Sequence, residues 1–374
     1  MKYYIIAGEA SGDLHASNLV EQLKKKDPRA EFRGWGGDLM KRQGVTLVKH
    51  YRYMAYMGFV EVLVNLRKIM NNIKQCKKDL LAYQPDAVVL VDYPGFNLRI
   101  AKFAREHGIK VMYYISPQVW AWKRRRVRKI QRSVNKMLVI LPFEEEFYKK
   151  YHVDVTYVGN PLLDELSKFK AVSRQSFLQR NNLAANREII ALLPGSRHQE
   201  VERTLGVMLK MIPYYPEYQF VIAKAPSLDA SLFHPMMVGK DVQLVDNQTY
   251  DLLSFSSAAL VASGTATLET ALFAVPQVVC YKASDISYRI ARSLIKVKFI
   301  SLVNLILGRR AVKELVQGDL TEENVKKELD LILHNAKRQR RMLEDYEDLK
   351  DRMGGPGASE KAAEVIYNAL RPFQ

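Results

Sequence analysis

A chain of 374 residues is too long for one ordinary hydrophobic core, so two domains are expected. With 48% hydrophobic and 26% charged residues the composition is that of a globular protein, and the longest apolar runs fall far short of a membrane span. Two cysteines without a CxxC argue against a disulfide framework or a zinc site and point to a reducing compartment, while a net charge of +17 asks for an anionic partner: nucleic acid, a membrane surface or a phosphorylated substrate.

Apolar strand-like runs alternate with helical stretches along the whole chain. The N-terminus, MKYYIIAGEASGD, reads as a first strand entering a Gly/acidic turn and not as a secretory signal. Strands are expected at Tyr3–Ala7, Glu31–Gly34, Val45–Val48, Ala87–Val91, Val111–Ile115, Met137–Leu141 and Val155–Val158. Helices are expected between them, near Leu14–Lys25, Val60–Tyr83, Leu98–His107, Arg125–Ser133 and Glu144–Tyr151. A second series has strands at Glu188–Leu193, Gln219–Ala223, Val242–Val245, Ala258–Ala262 and Gln277–Tyr281. The last hundred or so residues read as mostly helical, broken by Gly354–Gly357 before a final helix, Ser359–Leu370. Repeated βα alternation implies parallel sheets with helices on both faces. The expected fold class is α/β: two Rossmann-like, doubly wound domains facing a central cleft, 1–164 and 165–374. The final helices are left free to cross back to the first domain or to a second subunit.

Ligands of open α/β sheets bind at the carboxyl ends of the strands, so the residues just after each strand carry the functional reading. After the first strand, Gly8–Asp13 presents Glu9 and Asp13 without a GxGxxG fingerprint. The strand Ala87–Val91 delivers Asp92 to its end, a good place for a general base and equally for a helix cap. After Ile115 come Trp120 and Trp122 beside Lys123, Arg124, Arg125 and Arg126, which suit a sugar ring plus an anion, single-stranded nucleic acid, or interdomain packing with a solvated basic helix. In the second series, Ser196 and Arg197 end one strand, and Ser263, Gly264 and Thr265 lead another into a helix that carries Glu269. Both turns suit phosphate, an Arg being able to chelate it with two parallel hydrogen bonds. Phe59–Met70 holds Val62, Leu63 and Leu66 in a helix apolar on more than one face, either buried or dipping into a bilayer surface. The seven histidines form no HxxxH or HxH, and no metal site is expected.

The succession AGEASGD (7–13), GGDLM (36–40), MGFVEVL (57–63), DYPGFN (92–97), ISPQVWAW (115–122), LPFEEEFY (141–148), LPGSR (193–197), SGTATLE (263–269) and SLVNLILGR (301–309) resembles the lipid A disaccharide synthases, glycosyltransferases of lipopolysaccharide biosynthesis. SGTATLE is shared with other two-domain glycosyltransferases and UDP-sugar epimerases; AGEASGD and SPQVWAW are more particular. The resemblance runs from about residue 3 to about residue 318.

It implies a GT-B fold and an inverting transfer without metal or cofactor. UDP-2,3-diacylglucosamine would donate to 2,3-diacylglucosamine 1-phosphate (lipid X), giving a β-1,6-linked disaccharide 1-phosphate and UDP. Asp92 matches the family's proposed base, and Glu9, Arg197 and Asn304 match positions treated as essential. On this reading Arg197, Ser196, Ser263, Gly264, Thr265, Glu269 and Asn304 hold the UDP-sugar. Val62, Leu63, Leu66, Trp120, Trp122, Arg124, Arg125 and Arg126 meet the acceptor or an anionic membrane. The enzyme would sit peripherally on the cytoplasmic face of the inner membrane, bind no nucleic acid, and leave room for a homodimer. A UDP-sugar epimerase would use the second-domain turns equally well. A nucleic-acid-binding protein would explain the charge but not the pairing of Arg197 with Ser263–Glu269.

Overall fold

The computed structural model describes residues 1–54, 65–120, 126–284, 288 and 297–371. The chain divides into two compact units, Met1–Ser167 with Gly354–Gln374, and Lys168–Met353.

The first unit is built on seven parallel strands: β1 (Lys2–Ala7), β2 (Glu31–Gly36), β3 (Thr46–His50), β4 (Ala87–Val91), β5 (Lys110–Tyr114), β6 (Lys136–Val139) and β7 (Val155–Tyr157). Their spatial order is β3-β2-β1-β4-β5-β6-β7. β1 and β4 lie in the middle, and Tyr3–Ala7 and Ala87–Val91 are buried throughout, as a parallel sheet covered on both faces requires. Their side chains alternate between two cores. Tyr4, Ile6, Val88 and Leu90 pack with Trp35, Ile73 and Ile100, whereas Tyr3, Ile5, Val89 and Val91 pack with Leu19, Val20 and Leu23.

Ala362, Ala363 and Ile366 belong to that second core. They come from the last helix, Ala358–Leu370, so residues 354–371 belong with the first unit and not with the remainder of 165–374. Asp164 anchors the return: its carboxylate accepts from the backbone N–H groups of Ala358 and Ser359 at 3.1 and 2.9 Å. That satisfies donors the helix start cannot satisfy internally.

The second unit has six parallel strands: β8 (Glu188–Leu193), β9 (Tyr218–Lys224), β10 (Val242–Asp246), β11 (Ser256–Ala262), β12 (Gln277–Tyr281) and β13 (Lys313–Val316). Their order is β10-β9-β8-β11-β12-β13. β13 stands where the sequence reading expects helix. Its four residues, Lys-Glu-Leu-Val, bury only Leu315. A short, polar edge strand leaves almost no periodic signal, and pairing with β12 makes it a strand.

In each sheet the winding reverses once, between β1 and β4 and between β8 and β11. Ala7 pairs with Val91 and Leu193 with Val261, so the loops that leave these strands emerge side by side. Such switch points are where doubly wound sheets bind ligands.

Candidate active site

At the first switch point the loops bring Glu9 and Asp92 together. Asp92 and Tyr93 both adopt left-handed backbone conformations, φ 44° and 46°. That geometry is costly for residues with a Cβ and persists only when its surroundings impose it. Here the Asp92 carbonyl accepts from Asn97 Nδ2 at 2.7 Å and from the Tyr113 hydroxyl at 2.6 Å. The Asp92 N–H donates to the Tyr114 carbonyl at 3.0 Å. Tyr93 lies against Gly8, where a Cβ would stand 2.3 Å from its ring. The backbone is thus clamped, and the Asp92 carboxylate itself accepts from the Tyr93 backbone N–H.

Burial, with the Glu9 charge beside it, pushes the Asp92 carboxyl from the ordinary 3.8 up to about 7. A carboxylate so placed is a competent base near neutral pH. Activity that depends on it falls as pH drops through about 7. Glu9→Gln removes the like charge, lowers that pKa, and should move the acid limb of the kcat/KM profile to lower pH. An unmoved limb would disconnect Glu9 from Asp92.

Asp13 serves the fold instead. Its buried carboxylate accepts from the N–H groups of Gly37, Leu39 and Met40 and caps the short helix Asp38–Arg42. Trp120 is also taken away from any ligand surface. It is 5% exposed, stacks edge-on against Phe143 and donates to Glu144 Oε1 at 3.2 Å. Packing accounts for it, but within the first unit, to which Phe143 and Glu144 also belong, and not between domains as the sequence left open. Val62, Leu63, Trp122, Arg124 and Arg125 lie outside the described residues. Leu66 is 44% exposed, and Arg126 is half-buried at the start of the helix Arg126–Ser133.

At the second switch point a cavity of about 460 Å³ opens between the β8 and β11 loops. Ser196, Ser263, Gly264, Thr265 and Glu269 line it together. Gly195 turns the first loop at φ 118°, and a Cβ there would stand 2.6 Å from a Glu200 carboxylate oxygen, so only glycine fits. Glu200 in turn accepts from the Ser196 N–H at 3.2 Å. Burial pushes Glu269 up to about 7, against the hydrogen bond it accepts from Tyr250.

Two expected ligands stand elsewhere. Arg197 is not in the lining; it immediately precedes the helix His198–Leu209 and pairs with Glu200 at 2.7 Å, its side chain 61% exposed. Asn304 is fully buried. Its Nδ2 donates to the Val312 carbonyl and to Glu314, both at 2.9 Å, and its Oδ1 accepts from the N–H groups of Ala311 and Val312. Glu314 accepts from the N–H groups of Ile300 and Ser301, and the Ile300 carbonyl accepts from Ser263 Oγ at 2.9 Å. Asn304 therefore reaches the cavity only through Glu314, Ile300 and Ser263, as a brace and not as a contact.

The cavity also has a wall the sequence reading passed over, Asn247–Asp251, which follows β10. The same strand-end rule identifies it, and Asn247 at φ 54° marks the turn.

Two doubly wound sheets, each with its polar constellation at a switch point, define a GT-B-type fold. A UDP-GlcNAc 2-epimerase from Neisseria meningitidis, solved bound to UDP-GlcNAc, matches with TM-score 0.71 at 15% identity over 99% of both chains. The glycotransferase of kitacinnamycin matches with TM-score 0.66 at 14% identity, again over 99% of both chains. At that identity only the fold is shared.

Sequence comparison is more specific. The family profile described as Lipid-A-disaccharide synthetase matches residues 3–367. Lipid-A-disaccharide synthases of Syntrophus aciditrophicus and Myxococcus xanthus are 43% and 39% identical, each over 98% of this chain and 97% of theirs. The chain belongs to the lipid-A-disaccharide synthase family of glycosyltransferases.

Proposed function

We propose that the second unit holds UDP-2,3-diacylglucosamine and that the first presents 2,3-diacylglucosamine 1-phosphate to it. The observation that carries this reading is the Asp92–Glu9 pair, with Asp92 raised to about 7 on a backbone clamped from two sides. Asp92 takes the proton of the acceptor's 6′-hydroxyl as that oxygen attacks the donor's anomeric carbon. The bond to the β-phosphate oxygen breaks with inversion, and UDP leaves with the electron pair. The products are the β-1,6-linked disaccharide 1-phosphate and UDP.

The charge that develops on UDP meets the Ser196 and Ser263–Thr265 turns, and Glu269 is suited to the ribose hydroxyls. Fixed dipoles that stabilise developing charge are commonly the largest single contribution to such a rate. Arg197 joins the diphosphate by exchanging Glu200 for phosphate. Because that exchange gives up an existing ion pair, Arg197→Ala should weaken UDP binding by about tenfold; equal affinity by calorimetry would reject the role. The reading calls on no metal or cofactor.

Both substrates carry acyl chains and reside in a membrane. Among the described residues no helix is long and apolar enough to cross one, which fits a protein attached to the surface, here the cytoplasmic face of the inner membrane. Exposed Leu66 supports attachment by the apolar stretch that also holds Val62 and Leu63. Val62→Ser, Leu63→Ser and Leu66→Ser together should release the protein from anionic vesicles; retained binding would assign the stretch to packing.

The reaction is tested by incubating the full chain with both substrates and reading product mass and UDP release. Isomerised UDP-sugar without disaccharide would overturn the reading in favour of an epimerase.

A further inference from the structure

Beside the Asp92 turn the first unit has a cavity of its own, a groove of about 780 Å³ that the transfer step above does not use. One wall comes from the helix Pro94–Glu106 and carries Arg99, Lys102 and Arg105; the facing wall comes from the helix Arg126–Ser133 and carries Arg126, Lys129 and Arg132. Each set recurs every three residues, so each forms one row along its helix. Among the described residues of the lining Glu106 is the single acidic one, and it pairs with Lys102 at 3.6 Å. Among the described residues, Arg99, Arg105, Lys129 and Arg132 form no ion pair.

A basic surface that merely keeps a protein soluble spreads its cations outward, because like charges repel. Here two rows converge on one space. Arg126 shows the strain: burial, together with the neighbouring Arg99, lowers its pKa. A bound anion would relieve both effects.

Apart from Ser133, the remaining described lining is mostly apolar, with Ile69, Tyr93, Phe96 and Leu98. Leu66 and Met70, 44% and 47% exposed, flank Ile69 on the same helix, Leu66–Tyr83. A cationic groove with an apolar lip fits an anion attached to a hydrocarbon chain better than it fits a free ion. Its position ties it to the chemistry, since Tyr93, Pro94 and Gly95 of the lining directly follow Asp92. The Tyr113 hydroxyl, hydrogen-bonded to the Asp92 carbonyl, feels the Arg126 charge.

We infer that this groove seats the phosphate monoester of an amphiphilic sugar phosphate, held by Arg99, Arg126, Lys129 and Arg132. The inference rests on the acceptor reading above and adds the residues that would select an acceptor bearing a phosphate. The phosphate contributes in the ground state and the transition state alike, so the groove governs acceptor KM more than kcat.

The test uses the full chain with Arg99→Gln and Arg132→Gln combined, the Lys pair at the same positions as conservative rescue, and Lys25→Gln with Lys41→Gln as a charge-matched control outside the groove. Thermal unfolding checks that all variants are folded. The Gln pair should raise acceptor KM by about ten- to a hundredfold. Its kcat should stay within about threefold and its UDP affinity should be unchanged. The Lys pair should recover much of the loss, and the control should behave as wild type. An acceptor analogue lacking the phosphate should already show the raised KM with wild type and lose nothing further in the Gln pair.

An unchanged KM, or equal losses with and without the phosphate, overturns the inference. So does an unchanged KM accompanied by lost binding to anionic vesicles or to an oligonucleotide, which would make the groove a headgroup or nucleic-acid surface. If the wild type transfers no sugar, the reaction assigned above is what fails; calorimetric titration with the phosphorylated and dephosphorylated acceptor sugars then tests the groove directly.

Discussion

Asp92→Asn is expected to slow sugar transfer by about 10²–10⁴ while leaving UDP affinity as it is. The amide keeps the shape of the side chain and its oxygen can still accept from the Tyr93 N–H, while the other hydrogen bonds that hold this turn go to the Asp92 backbone. The loss should therefore lie in the chemistry and not in the loop. The pH profile supplies a second reading. In the wild type kcat/KM falls as pH drops through about 7, because the raised carboxyl takes up its proton there. In the amide variant that limb should disappear, leaving a low, flat rate. A variant that retains wild-type turnover would remove Asp92 from the mechanism. One that retains the acid limb would move the base elsewhere.

Asn304→Ala should produce the second large effect, on stability first. The side chain satisfies the Ala311 and Val312 N–H groups, the Val312 carbonyl and Glu314 inside the protein. Leaving buried partners without hydrogen bonds costs about 1–3 kcal/mol each. With partial rearrangement the total should be about 3 kcal/mol, which for a unit of this size lowers Tm by roughly 6–12 °C. UDP affinity should fall along with it, since Glu314 holds the Ile300 segment that anchors Ser263. Loss of activity without a fall in Tm would contradict the bracing role and restore direct contact with the nucleotide. Unchanged Tm together with unchanged affinity would make the Asn304–Glu314 network dispensable.

These two residues show how far a local pattern carries and where it stops. Asp92 was legible because its signal is local: a fully apolar five-residue strand ends in a carboxylate followed by Pro and Gly. Asn304 is marked by the family resemblance, which does not say what its amide does. Nothing in SLVNLILGR tells whether the amide faces a ligand or the backbone eight residues on. Trp120 presented the same ambiguity, and a buried carboxylate, Glu144, resolved it towards packing. Arg197 was found at the right strand end, yet its pairing with Glu200, three residues along its own helix, holds it outside the lining. The Asn247–Asp251 wall was within reach of the same strand-end rule. β13 was not, because four residues, two charged and two apolar, are too short a run to carry a period.

What the sequence determined by itself was the class of fold, from the alternation of apolar strand runs with helical stretches, together with the turns at the strand ends and the family. Those signals reside in neighbours along the chain: side-chain period, turn chemistry and ordered motifs. Only the tertiary structure decided which strand ends become neighbours. The order reversals bring Glu9 to Asp92, and Ser196 to Ser263, although scores of residues separate the members of each pair. It likewise decided that residues 354–371 return to the first unit through Asp164, and that two rows of cations from separate helices line one groove. Adjacency and burial are properties of long-range packing, and a local pattern cannot express them.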